Sequence, residues 1–242
     1  MHQHGCWLAG GGGALGSAVL EALLGTRVAA PLHVLVTQDF HATASGLHTQ
    51  LLAALPQAAV RLPLAVVVFD AARQVNGREA AFWQPQPAEL LPLARSLHDI
   101  GVRHLIVVMP HVSATLPEAL KAGLASLDEQ AVAALGFDHV AIVRTAQRPD
   151  DASSRGLQRL ADAVLAQLRV MVPQREQPVR AAKVAALVAA IARALPHSAS
   201  GTRVMAPEWV WQATQGADPH ALVADWLQGR PLPLAALPRQ RM

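Results

Sequence analysis

Near the start of this chain, the groups best able to do chemistry are backbone amides. Gly10, Gly11, Gly12 and Gly13 run consecutively, followed by Ala14, Leu15, Gly16 and the apolar run SAVLEALL. Gly11, Gly13 and Gly16 satisfy G-x-G-x-x-G, and Gly10, Gly13 and Gly16 satisfy the looser G-x-x-G-x-x-G. One glycine permits a tight turn off a strand, and another lets a pyrophosphate approach the backbone with no Cβ in the way. A third lets the following helix pack close to the sheet. The phosphates then lie on the free N–H groups at the helix start. A strand candidate, CWLA (6–9), precedes the glycines and a helical pattern follows them, which is the context such a loop requires. Residues Gly10 to Gly16 are therefore the expected binding loop for NAD or NADP. No Lys-Ser/Thr pair follows, so the loop is not of the Walker A type.

Side chains expected to complete the site come from later in the chain. A binder of NAD places an acid after the second strand to hold the adenosine ribose. In VTQDFHA (36–42) the only acid is Asp39, which is otherwise a surface turn residue. Neither Thr37 nor Gln38 is the Arg expected beside a 2′-phosphate, so NAD and NADP both stay open. Asp70 and Arg73 sit at and just past the end of the apolar run LAVVVFD (64–70), where they could reach a cofactor ribose or cap a helix. His111 lies beyond HLIVVM (104–109), on the side where open α/β sheets hold ligands, and its ordinary pKa suits proton transfer. With Ser113 and Lys121 in the same crossover it makes the candidate catalytic set. The plainer alternatives are a loop histidine and a solvated helix lysine. His2, His4 and Cys6 alternate as metal ligands can, but at a terminus and partly on a buried strand, so no metal is expected. H-E-x-x-H, paired cysteines and G-x-S-x-G are all missing from the sequence.

These groups must be positioned by strands and helices that the hydrophobic pattern outlines. Strands are expected at 6–9, 32–37, 64–70, 104–109 and 139–144. Helices are expected at 17–24, 46–55 and 87–101 (with a kink at Pro92), over roughly 117–135, and at 153–171 and 179–195. An extended piece at 201–207 precedes two more helices, EWVWQAT and PHALVADWLQG. Apolar strands separated by helical stretches imply a parallel sheet covered on both faces. The fold class is therefore α/β, a Rossmann-type three-layer αβα sandwich with a mainly parallel sheet and a mostly helical C-terminal extension. Residues 1–228 are expected to form one domain, its part from about 146 supplying the substrate region, and 229–242 a Pro-rich tail. The apolar stripe of 183–195 and the tryptophans Trp209, Trp211 and Trp226 are expected in the core, or at a homodimer interface.

Composition narrows the partners. With 20 basic and 17 acidic residues scattered along the chain and 4% aromatic residues, no nucleic-acid partner is expected. No apolar run suits a membrane span and no basic leader precedes the glycines. A single cysteine fits a reducing, cytoplasmic compartment, and a small molecule is the expected ligand.

Several stretches in order resemble an atypical short-chain dehydrogenase/reductase, similar to the small Tat-interacting-oxidoreductase-like and nucleoside-diphosphate-sugar epimerase-like proteins. LAGGGGALGSAVLEALL resembles the family's phosphate loop, and LARSLHDIGVRHLIVVM a later helix and strand. LDEQAVAALGFDHVAIVRTA resembles the end of the catalytic helix and the strand after it, and QPVRAAKVAALVAAIARAL a late helix. The resemblance implies a Rossmann domain and a Tyr and Lys four apart, helped by Ser or Thr, in proton transfer at a carbonyl or alcohol. This chain contains no tyrosine. Matched back from Phe137, the Tyr position falls at Lys121 and the Lys position at Ala125. One helical turn away, the Lys position falls at Lys121 and the Tyr position at Pro117. Met109 and Pro110 stand where the family has hydroxyls, and Thr145 stands where it has Pro after Arg144. Two functions therefore compete: an oxidoreductase or epimerase-like enzyme with non-standard residues, and a non-catalytic dinucleotide-binding sensor, regulator or scaffold.

Overall fold

In a computed structural model of the chain, residues 4–40, 42, 44–70, 78–111, 130–146, 181–215 and 218–231 are described. Seven strands form one sheet: β1 (His4–Ala9), β2 (Ala29–Val36), β3 (Leu47–Leu51), β4 (Leu64–Val68), β5 (His104–His111), β6 (His139–Ala146) and β7 (Gly201–Met205). Their order is β3-β2-β1-β4-β5-β6-β7, and every neighbouring pair is parallel. The helices are α1 (Gly13–Gly25), α2 (Leu90–Asp99), α3 (Ala181–Ala194), α4 (Pro207–Gln215) and α5 (Pro219–Leu227).

Alternation along each strand divides the core into two layers. Cys6, Leu8, Val34, Val66 and Ile106 face one side, where they join Val19 and Leu23 of α1 and Leu187 and Ile191 of α3. Val210 of α4 and Val223 and Trp226 of α5 complete that layer. Trp7, Ala9, Leu35, Val67 and Val107 face the other side, against Leu90, Leu93 and Leu97 of α2 and Val132. The central strand β4 is apolar and buried over its whole length because both of its faces are covered. The result is the Rossmann-type three-layer αβα sandwich expected from the sequence, and α3 spends its apolar stripe in the core.

Two elements differ from expectation. Residues 46–55 do not form a helix: Leu47–Leu51 pair in register with Leu32–Val36 as the edge strand β3, and Leu52–Gln57 form a 3-10 helix containing Pro56. The apolar spacing of Leu47, Leu51, Leu52 and Leu55 imitates a helix, but pairing with β2 decides the conformation. The extended piece at 201–207 becomes a full sheet member, β7, on the far side of β6. Most of the helix expected over 117–135, and all of that at 153–171, lie outside the described residues. Residues 90–99 form α2 with Pro92 inside its first turn, where a missing N–H costs nothing.

The N-terminal edge of the sheet is tied by histidines. Nδ1 of His104 and Nδ1 of His139 are 2.9 Å apart, and Nε2 of His139 lies 3.0 Å from the Ser198 carbonyl. A carbonyl only accepts, so His139 carries a proton on Nε2 and one ring of the pair must accept at Nδ1. Among the described residues, no helix is long and apolar enough to cross a membrane, and no three His, Cys, Asp or Glu residues are grouped to hold a metal ion.

Candidate functional site

Strand order reverses at β1, whose neighbours are β2 and β4, and ligands of open α/β sheets lie beyond the carboxyl ends of the strands at that point. The turn from β1 into α1 sits there and needs its glycines. Gly10 has φ +80°, and a Cβ on it would fall 2.0 Å from the Val68 carbonyl oxygen of β4. A Cβ on Gly16 would fall 1.9 Å from the Gly10 carbonyl oxygen, so α1 lies directly on the turn. Gly12 is the N-cap of α1 and offers no side chain to the helix amides, and no acid lies in the first turn. The helix therefore presents its positive end bare of its own anion, as a phosphate seat requires.

A carboxylate from elsewhere in the chain meets that helix end. Oδ2 of Asp70, two residues past β4, accepts from the Leu15 amide at 2.7 Å, which puts a carboxylate on the first turn of α1. Residues 81–83 run antiparallel to the end of β2. The Thr37 amide donates to the Ala81 carbonyl at 2.8 Å, and the Trp83 amide donates to the Leu35 carbonyl at 3.1 Å. The Trp83 carbonyl then accepts from the Gly10 amide at 3.1 Å. Phe82 lies over Gly11 so closely that a Cβ there would be 3.2 Å from its ring, and it meets Phe40 edge-on at 5.3 Å between centroids. Pro85 is buried beside Gly10. Gly10, Gly11, Gly12 and Gly13 are all buried. Among the described residues, the buried Oε1 of Gln84 in the same segment has no donor.

The other expected site residues are spread around this center. Asp39 is exposed, and Thr49 of β3 donates its hydroxyl to the carboxylate at 2.5 Å. With Phe40, Gly46, His48 and Thr49 it borders an open hollow of about 700 Å³ above the β2–β3 connection. The Phe40 and Phe82 rings meet between that hollow and the glycines. Ala14 and Leu15 lie in the first turn of α1 and are half-buried. His111 ends β5, its backbone in register with Ala146, on the same edge of the sheet as the glycine turn. Arg73, Ser113 and Lys121 lie outside the described residues. Thr145, a buried hydroxyl on β6, donates to the Met109 carbonyl at 3.3 Å and so ties two strands together. Sequence reading missed Phe82 and Trp83. In AFWQPQP their neighbours signal an irregular connection, and nothing local announces that it pairs with β2.

No family model and no curated protein matches the chain. Solved structures do. A nucleoside-diphosphate-sugar epimerase from Staphylococcus aureus is 15% identical, with a TM-score of 0.52 over 84% of this chain and 70% of that one. The UDP-N-acetylglucosamine 4-epimerase of Bacillus cereus is 16% identical, with a TM-score of 0.47 over 84% of this chain and 77% of that one. The Bordetella bronchiseptica enzyme WbmG, solved in complex with NAD, is 14% identical, with a TM-score of 0.42 over 94% of each chain. At such identities the likeness is one of fold, and the epimerase from Staphylococcus aureus carries it.

Proposed function

We propose that this chain is a dinucleotide-binding Rossmann protein of the sensor or scaffold kind, which keeps the phosphate cradle without the usual hydride-transfer residues. The observation that carries this reading is the turn itself. At Gly10 and Gly16 backbone oxygens leave no room for a Cβ, and the helix end they expose already attracts a carboxylate at 2.7 Å. The residues that would hold a pyrophosphate are Gly10 to Gly13 with Ala14, Leu15 and Gly16, by their amides. Asp39 would serve the adenosine ribose only after leaving Thr49. A bound nicotinamide would supply hydride chemistry, but the proton donor that normally accompanies it is a tyrosine, and the chain has none. The competing enzyme reading rests on His111, at the carboxyl end of β5, as a substitute acid or base.

Calorimetric titration with NAD, NADH, NADP and NADPH, paired with a turnover screen over aldehydes, ketones and sugar nucleotides, separates these readings. Binding without turnover supports the sensor reading. Turnover that is lost in His111→Ala supports the enzyme reading, and no binding by the protein or by its Asp70→Ala variant sinks both.

A further inference from the structure

We propose that the cradle is self-occupied, with two parts of the chain standing where a dinucleotide would stand, so that binding requires both to leave. Asp70 takes the phosphate position: its carboxylate is the anion on the Leu15 amide. Residues 81–83 take the adenosine side as a strap, satisfying the ends of β2 and β1 through the Thr37, Trp83 and Gly10 amides. Phe82 closes the gap over Gly11 and against Phe40.

Both contacts suit displacement. A carboxylate on a helix N-terminus is held by the same attraction that a phosphate would satisfy more fully, and the two anions exclude each other from one seat. The strap is a single short stretch of pairing laid beyond the end of β1, and it keeps Gln84 Oε1 buried without a donor among the described residues, a cost relieved when the segment is released to water. The chain thus holds its own ligand mimic, and the docked strap and the dinucleotide are alternative occupants of one place. The identity of the displacing ligand rests on the dinucleotide reading; the self-occupation does not.

Titration with inorganic pyrophosphate, followed by the NMR shift of the Leu15 amide, tests the first half without any dinucleotide. Asp70→Ala is expected to bind pyrophosphate about tenfold more tightly than the wild-type protein. Equal affinity in the two proteins overturns the proposal. The second half is read from amide exchange in the wild-type protein, which avoids any doubt about a variant's folding. A saturating dinucleotide is expected to speed exchange at Thr37 and Trp83 by about tenfold or more as their partners leave. A dinucleotide that binds while both amides stay protected overturns the strap. A variant Asp70→Ala, Phe82→Ala that takes pyrophosphate but none of the four dinucleotides upholds self-occupation and sinks the dinucleotide reading instead.

Discussion

Gly16→Ala is the substitution for which the structure fixes both sign and size. The added Cβ would lie 1.9 Å from the Gly10 carbonyl oxygen and 3.0 and 3.1 Å from the carbonyl carbons of Gly10 and Gly11. All three neighbours are backbone, so no side chain can swing aside. Carbon–oxygen contacts close to about 3.3 Å at best, so α1 must part from the turn by more than about 1 Å. That movement also loosens Val19 and Leu23, which are buried from α1 into the core, and draws the Leu15 amide away from Asp70. Overpacking of this kind costs up to about 3 kcal/mol, against a gain of about 1 kcal/mol from replacing a mid-helix glycine by alanine. The net loss of about 2 kcal/mol lowers Tm by roughly 4–8 °C for a chain of this size. Gly25→Ala, at the other end of the same helix, meets nothing within 4 Å and serves as the control. It should be neutral or stabilising by up to about 1 kcal/mol. Thermal melts of the three proteins decide the matter, and a Gly16→Ala protein that melts at or above the wild-type temperature refutes the close approach of α1 to the turn.

Two further predictions concern a half-buried histidine and a buried cysteine. His33 stacks on His48 and meets Trp7 edge-on; burial, then the neighbouring His48, hold its imidazole below the usual 6.5. The unfolded chain therefore binds the proton more readily, so the stability present above the unfolded value is lost as pH falls from 6.5 through the folded value. His33→Phe, which keeps a ring in that stack, should lose less Tm than wild type between roughly pH 7.5 and pH 5.5; equal losses would contradict the assignment. Cys6 is fully buried, and desolvation pushes its thiol far above the ordinary range. A colorimetric thiol reagent should detect no cysteine in the native protein and one after unfolding, and prompt native reaction would contradict the burial of β1.

The layered fold was legible because parallel strands are apolar over the length covered on both faces, and LAVVV, LIVV and VAIV carry that signature with little ambiguity. The glycine turn was legible for a similar reason, since backbone packed on backbone tolerates no other residue at Gly10 or Gly16. The position of Asp70 after an apolar strand suits a ribose contact or a helix cap, and in the structure its carboxylate lies on the first turn of α1. Elsewhere long-range pairing overrode local pattern. Leu47–Leu51 looks helical by its leucine spacing but completes the sheet edge, and Ala81–Trp83 becomes an antiparallel strap only because β2 runs past the end of β1 and leaves Leu35 and Thr37 to be satisfied. The direction of the Asp39 side chain follows from Thr49, a partner on a strand that the sequence did not announce.

The central claim is that this Rossmann cradle still takes a dinucleotide, although the chain's own residues stand in it. Calorimetric titration of the wild-type and Asp70→Ala proteins with NAD, NADH, NADP and NADPH tests it most directly. The account predicts saturable binding of at least one dinucleotide, tighter in Asp70→Ala than in wild type. No saturable heat from either protein at millimolar dinucleotide would contradict it.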